Sequence, residues 1–189
     1  MNSAKLFVIS APSGGGKTSI VKAILEKHPD FLFSISATTR AMRAGELDGK
    51  DYFFLRKEDF ETKIRHGELV EYEQLYNNYY GTLKRETDRT LHNGKSMLFD
   101  VDVKGGLSIK KMYGAQAVLI FIAPPSVEVL EARLRSRKTE DEEKIQKRVA
   151  RFPMELEIGK QFDYTVVNDV LTQAIDDVLK IIEHTLQLK

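Results

Sequence analysis

The chain has no cysteine among its 189 residues. That excludes a disulfide scaffold, a thiol nucleophile and any thiolate metal site. An excess of one charge is missing too: 29 Lys and Arg face 28 Asp and Glu, a formal net charge of +1. So even a balance gives no whole-chain attraction for nucleic acid or an acidic membrane. Neither is expected as a partner, and any phosphate-binding charge must be local. Long apolar runs are also absent. The longest, 117–125, falls far short of the roughly 20 residues that span a bilayer. The early run Leu6–Ile9 is shorter than the apolar stretch of about 7 residues that a secretory signal needs. A cytoplasmic protein is expected. No internal repeat, low-complexity tract or flexible linker interrupts the chain. Hydrophobic content of 42% and charged content of 30% fit a globular protein. The length suits one domain with inserted subdomains, burying about 70% of its unfolded surface.

What is present is an alternation of strands and helices. Leu6-Phe-Val-Ile9 is a continuous apolar run of the type found in strands buried on both faces. A glycine-rich segment follows, then 18–28 with apolar residues at 20, 21, 24 and 25, and Pro29 just beyond. Ser96–Asp102 reads as a strand followed by a helix over about 104–111. Ala117–Ile122 reads as a strand followed by a helix with Val127, Leu130 and Leu134 on one face. Tyr164–Val167 is a short strand, and 170–187 a closing amphipathic helix. This order predicts an α/β fold with a parallel sheet. Two stretches break it. Residues 36–92 are polar and rich in Arg, Tyr and Gly, with short strands near 51–55 and 69–73 and helices near 57–65 and 83–92. They predict an inserted, mostly antiparallel subdomain. Residues 136–159 mix Arg, Lys and Glu densely, predicting a helical segment with little to bury, hence a mobile lid.

The chemistry concentrates first at Ala11-Pro-Ser-Gly-Gly-Gly-Lys-Thr18. This matches the phosphate-loop pattern G-x-x-x-x-G-K-[ST] at every fixed position but the first, where alanine stands. Glycines let backbone N–H groups turn inward around phosphate oxygens, and the following helix offers its positive end. Lys17 is expected to reach the β- and γ-phosphates, and Thr18 to hold Mg²⁺ through its hydroxyl. Asp100 and Asp102 end the 96–102 strand, where a carboxylate beside a phosphate loop meets the metal, partly through water. The alternative is that they cap the next helix.

Phosphate loops serve many reactions, so the acceptor must be read elsewhere. Arg40 and Arg43 lie three residues apart in a polar segment, and two guanidinium forks can grip one dianionic phosphate. Tyr52 and the Asn78-Tyr-Tyr-Gly-Thr82 segment add hydroxyl donors without charge. Glu71 lies among apolar and aromatic neighbours, where a fixed carboxylate could accept two N–H bonds from a planar ring.

These residues carry a resemblance. Over essentially its full length the chain resembles the guanylate kinases. The matching segments are 11–18, Thr38–Glu46, Gly49-Lys-Asp-Tyr52, Asn78–Thr82, Phe99-Asp-Val-Asp102, Phe121–Ser126 and Val167-Asn-Asp169. The resemblance implies a phosphate-loop nucleoside-monophosphate kinase fold: a parallel sheet core with helices on both faces, an inserted mixed α+β GMP-binding subdomain and a helical lid. The core would span 1–35, 93–125 and 160–189, the insertion about 36–92 and the lid about 126–159. It further implies that Arg40, Arg43, Tyr52 and Tyr80 hold the GMP phosphate. Ser36, Glu71, Thr82 and Asp100 would surround the guanine, with Glu46 part of the same site. Ala11, Pro12, Ser13, Gly14, Gly15, Gly16, Lys17 and Thr18 would cradle ATP, with Asn168 near the adenine. Lys17, Arg133, Arg137 and Arg148 would cover the ATP phosphates, and Thr18, Asp100 and Asp102 would serve Mg²⁺. ATP and GMP are the expected partners, and the state a monomer or homodimer. Two positions depart from the family pattern: Met42 replaces a proline between the arginines, and Lys104 a glutamine after the Asp-x-Asp strand. Two other readings stand beside this one. Guanylate-kinase-like scaffold domains bind phosphopeptides, but an eroded loop would favour that, and this loop is intact. A kinase for ribose 1,5-bisphosphate would not need a base-reading Glu71.

Overall fold

The computed structural model describes residues 4–75, 77–136 and 141–187. In chain order the elements are β1 (Leu6–Ser10), α1 (Lys17–Lys27), β2 (Leu32–Phe33), β3 (Ala37–Thr38), β4 (Phe53–Phe54), α2 (Lys57–Arg65), β5 (Leu69–Leu75), β6 (Asn78–Leu83) and α3 (Lys84–His92). There follow β7 (Met97–Asp100), α4 (Val103–Tyr113), β8 (Ala117–Ala123), α5 (Val127–Ser136), α6 (Glu142–Gly159), β9 (Tyr164–Val167) and α7 (Leu171–Gln187). Five strands form one parallel sheet in the order β2-β7-β1-β8-β9. Central β1 and β8 are buried along their whole length. That is why their apolar runs are continuous rather than alternating.

Alternate residues of β1 serve two cores. Phe7 and Ile9 pack with Ile20 and Ile24 of α1 and with Ala174, Val178 and Ile182 of α7. Leu6 and Val8 pack on the other face with Val103 and Ile109 of α4 and with Phe121 and Phe162. Helices therefore cover both faces, as the resemblance implied. The carboxyl ends of β1, β7 and β8 then emerge together, and the site is built on them.

The insertion forms a second sheet, β4-β3-β6-β5. It is antiparallel except where β3 pairs with β4. Helix α2 closes one face through Phe60, which packs with Ala37, Leu69 and Leu83 and stacks on Tyr79 at 5.3 Å. Glu58 and Asp59 in its first turn and Lys63 and Arg65 in its last complement the helix dipole. Three boundaries differ from the sequence reading. Asn78–Leu83 is a full strand, beyond those expected near 51–55 and 69–73. The 51–55 strand shrinks to Phe53–Phe54, preceded by a bridge between Asp48 and Tyr52. The 96–102 strand ends at Asp100, and Asp102 becomes the N-cap of α4, its Oδ1 accepting from the Gly105 N–H at 2.8 Å.

The segment read as having little to bury has a core of its own. Leu130 and Leu134 of α5 meet Ile145 and Phe152 of α6. The far end of α6 is docked on the main sheet at Gly159, where a Cβ would lie 2.6 Å from the Phe121 ring. The contact admits no methyl group. Gly159→Ala is expected to lower unfolding stability by about 1–3 kcal/mol through overpacking, read by denaturant titration. An unchanged midpoint would mean that α6 shifts freely on the sheet.

Candidate active site

The loop between β1 and α1 is folded on itself by the Gly15 N–H, which donates to the Pro12 carbonyl at 2.8 Å. Gly14 and Gly16 have φ of 94° and 91°, the left-handed region, where glycine alone is free of strain. Gly16 is the N-cap of α1 and offers no side-chain acceptor, so the first N–H groups of the helix remain for an anion. Alanine at the first position of the motif is accommodated: Ala11 packs against the core, and its Cβ would lie 3.0 Å from one built on Gly15. Lys17 Nζ sits 2.5 Å from Asp100 Oδ1 and donates to the Val101 carbonyl at 3.4 Å. Thr18 lines the cleft beside it, as does Asp102.

On the insertion, Arg40 is held in a fixed pose. Its Nη1 and Nη2 donate to the two oxygens of Glu46 at 3.0 and 2.7 Å, and Nη1 also reaches the Ala41 carbonyl. Its guanidinium lies over the Tyr52 and Phe54 rings, 5.3 and 5.6 Å from their centroids. Tyr80 meets Tyr52 edge-on at 6.3 Å. Glu46 also accepts from the Arg43 N–H at 2.7 Å, and these hydrogen bonds hold its carboxyl below the ordinary range. Both of its oxygens are thus engaged by protein donors. Glu46 ties Arg40 to the Arg43 backbone. The Arg43 side chain is exposed on the 41–50 segment, and Met42 beside it is 56% exposed.

Glu71 and Thr82 face each other across β5 and β6, and Thr82 Oγ1 donates to Glu71 Oε1 at 2.7 Å. Burial pushes the Glu71 carboxyl up to about 7, and the negative charges of Asp102 and Glu73 push the same way against the Thr82 hydrogen bond. Ser36 lies at the entry to β3, its carbonyl accepting from the Phe53 N–H.

A cleft of about 630 Å³ separates the loop from α6. Lys144, Lys147, Arg148, Arg151 and Glu155 line it at helical spacing, with Glu73 and Leu75 at the end of β5. Arg148 Nη1 donates to Ser13 Oγ. Arg151 lies 3.7 Å from Glu155, whose carboxyl is raised by burial against the pull of Arg151.

A family model described as guanylate kinase matches residues 3–185. The chain is 46% identical over 185 residues to the guanylate kinase of Chlorobium luteolum, covering 98% of this chain and 94% of that protein. The chain belongs to the guanylate kinase family. It is 49% identical over 176 residues to the guanylate kinase of Chlorobium chlorochromatii, covering 93% of each. The crystal structure of guanylate kinase from Anaplasma phagocytophilum matches with a TM-score of 0.74 at 27% identity, over 100% of this chain and 89% of that one. The fold is therefore that of the phosphate-loop kinases, and the enzyme is a nucleoside monophosphate kinase.

Among guanylate kinase positions inferred from the sequence, the structure gathers Lys17, Thr18, Asp100, Asp102 and Arg148 about the loop. It gathers Arg40, Tyr52 and Tyr80 on one patch of the insertion, with Glu71 and Thr82 paired across β5 and β6. Arg133 Nη1 and Nη2 donate to the carbonyls of Asn168 and Asp169 at 2.9 and 3.2 Å. Asn168 is buried, and its side-chain amide lies against the phosphate loop. Arg137 lies outside the described residues. Lys104 is exposed on the first turn of α4. The sequence reading missed Lys144, Lys147, Arg151 and Glu155. Their i, i+3, i+4 spacing around Arg148 was the available signal. No described helix is long and apolar enough to cross a membrane.

Proposed function

We propose that the protein transfers the γ-phosphoryl group of ATP to GMP or dGMP, giving ADP and GDP or dGDP, in cytoplasmic purine nucleotide recycling, as a monomer or homodimer. The observation that carries this reading is Glu71: a largely buried carboxylate, steadied by Thr82, beside Asp102 of the phosphate-loop cleft. Guanine presents N1–H and a 2-amino group, two donors that one carboxylate can accept. Adenine presents an acceptor at N1 and is repelled. In this reading the 36–92 segment holds the acceptor and 126–159 is the lid.

The acceptor phosphate is the nucleophile, and being ionised near neutral pH it needs no general base. Its charge must be screened before two anions can meet. Arg40 suits that task because Glu46 and Ala41 fix its Nη1/Nη2 end. Tyr80 also meets this guanidinium, so Arg40 and Tyr80 would face the phosphate together. Arg43, Tyr52 and Tyr80 complete the clamp. Lys17 and Arg148 neutralise charge on the transferred group, with Arg133 bracing the adjoining backbone and Arg137 assigned to the same lid. Closure of the lid excludes water, which would otherwise take the phosphoryl group.

The donor set suits Mg²⁺. A hydroxyl at Thr18 and carboxylates at Asp100 and Asp102 are too few for a protein cage. No group of three His, Cys, Asp or Glu side chains could hold a metal among the described residues. They fit an ion that keeps waters and takes other ligands from phosphates. When bound, Mg²⁺ supplies charge neutralisation at the β- and γ-phosphate oxygens.

The test is ADP release from Mg·ATP with GMP, dGMP, AMP, CMP, UMP and ribose 1,5-bisphosphate as separate acceptors. Fast release with GMP, slower release with dGMP and at least about 10³-fold less with AMP are expected. Release with the sugar phosphate alone would make it a sugar-phosphate kinase. No release with any acceptor, from protein that binds ATP, would leave a binding module.

A further inference from the structure

We infer that Asn168 is a positioning residue of the phosphate loop, holding the Gly15–Gly16 peptide so that the Gly16 N–H faces the anion. The inference rests on the reading of 11–18 as a triphosphate cradle and goes beyond it, because Asn168 touches the loop from behind. Asn168 follows β9 and is 3% exposed. Its backbone N–H donates to the Ala123 carbonyl at the end of β8, and its Nδ2 donates to the Gly15 carbonyl, both at 2.8 Å. The two residues are 153 positions apart in the chain.

No peptide bond among the described residues is cis. In a trans peptide the C=O and N–H of one unit point in opposite directions. A donor that captures the Gly15 carbonyl therefore turns the Gly16 N–H to the far side, away from Asn168. Gly16 is also the residue that opens α1, where free N–H groups meet anions. The approach is close enough to dictate the residue: a Cβ on Gly16 would lie 2.1 Å from Asn168 Nδ2. The glycine at this position thus admits a side chain as well as a turn.

Two more observations point the same way. Asn168 Oδ1 is buried with no hydrogen-bond partner among the described residues, an arrangement that simple packing would avoid with an apolar side chain. The amide is retained where only its N–H side is used. Meanwhile Arg133 grips the Asn168 and Asp169 carbonyls. The strand end is held from α5, and through Asn168 so is the loop.

The experiment separates this role from contact with the donor base. Calorimetry measures ATP, inorganic tripolyphosphate and GMP binding to the parent, Asn168→Ala and Asn168→Leu, the last filling the space without a donor. Loss of ATP and tripolyphosphate affinity by the same factor, about tenfold or more, with GMP affinity unchanged, is the expected result. Unchanged GMP affinity also reports that the variant is folded. Loss for ATP with tripolyphosphate unchanged overturns the inference in favour of an adenine contact, and affinities within twofold of the parent overturn it outright. A parent that binds neither ATP nor tripolyphosphate refutes the phosphate-loop reading itself, and the inference falls with it.

Discussion

Methionine in place of Lys17 leaves a folded protein whose turnover with ATP and GMP is lower by about three orders of magnitude. The side chain keeps its length and apolar stem, so the loss is electrostatic. One preorganised donor at a centre of developing charge is worth about 10²–10³-fold in rate. The loss here has a second part. Lys17 and Asp100 are 2.5 Å apart, with side chains 24% and 28% exposed. Without the cation, Asp100 stands unopposed where phosphates must enter. The pair is only about a quarter exposed, so its removal also lowers stability, by on the order of 1 kcal/mol. The double variant Lys17→Met/Asp100→Asn distinguishes the two parts. It removes the repulsion but cannot restore the donor, so it recovers part of the ATP affinity and little of the rate. Steady-state ADP release and a thermal melt of each variant check this. A Lys17→Met rate within tenfold of the parent would remove Lys17 from the chemistry.

The Lys17–Asp100 contact also illustrates what the sequence could and could not disclose. Each residue was legible where it stands: Lys17 by a contiguous loop motif, Asp100 by its place after an apolar strand. Their pairing was not, because local periodicity carries no information about contacts across some 80 residues. The same holds for Asn168, whose partner is in the loop rather than in the neighbouring helix. Arg40 and Glu46 lie six residues apart in a segment with no repeating pattern, so no face could be assigned to either. The fold divides the same way. Strands β1 and β8 are buried on both sides and announce themselves as apolar runs. Strands β2, β3 and β4 have two residues each, too few to show a period of two. The core shared by α5 and α6 joins Leu130 and Leu134 to Ile145 and Phe152, with Val127, Val149 and Leu156 packed against it, so each helix alone shows only its own half. A dense surface of Lys, Arg and Glu concealed it. Its cationic face, set against the phosphate loop, is built on that small core rather than on a loose segment.

Glutamine in place of Glu71 is expected to reduce kcat/KM for GMP by about 10³–10⁴-fold while ATP binding is kept. An amide presents one acceptor where guanine brings two donors, and its own N–H groups oppose them. Sites built around such bonds lose up to about 10⁴ when the bonds fail. The carboxylate also makes the enzyme sensitive to pH. Burial, and then the charges of Asp102 and Glu73, push Glu71 up to about 7 in the free protein. Only the ionised form can accept from N1–H and the 2-amino group. GMP affinity therefore rises with pH through about 7 and falls about tenfold per unit well below it. The phosphate of GMP titrates near pH 6 as well. The Glu71→Gln variant isolates that part, because its remaining pH dependence belongs to the ligand. Binding of GMP draws Glu71 into its ionised form and releases a proton, which calorimetry in buffers of different ionisation enthalpy detects near pH 6.5. Stability moves in the opposite sense to affinity. A group whose folded pKa is raised from 4.5 to about 7 contributes fully below the unfolded value. That contribution, about 3 kcal/mol at most, is lost as pH rises through the folded one. The glutamine variant lacks this slope and should exceed the parent in stability at pH 8. The same desolvation that weakens the free fold above neutrality thus readies the carboxylate for a base that restores its hydrogen bonds. A GMP affinity that is flat from pH 5.5 to 8, or a Glu71→Gln variant that uses GMP within tenfold of the parent, would sink the assignment of Glu71 to guanine.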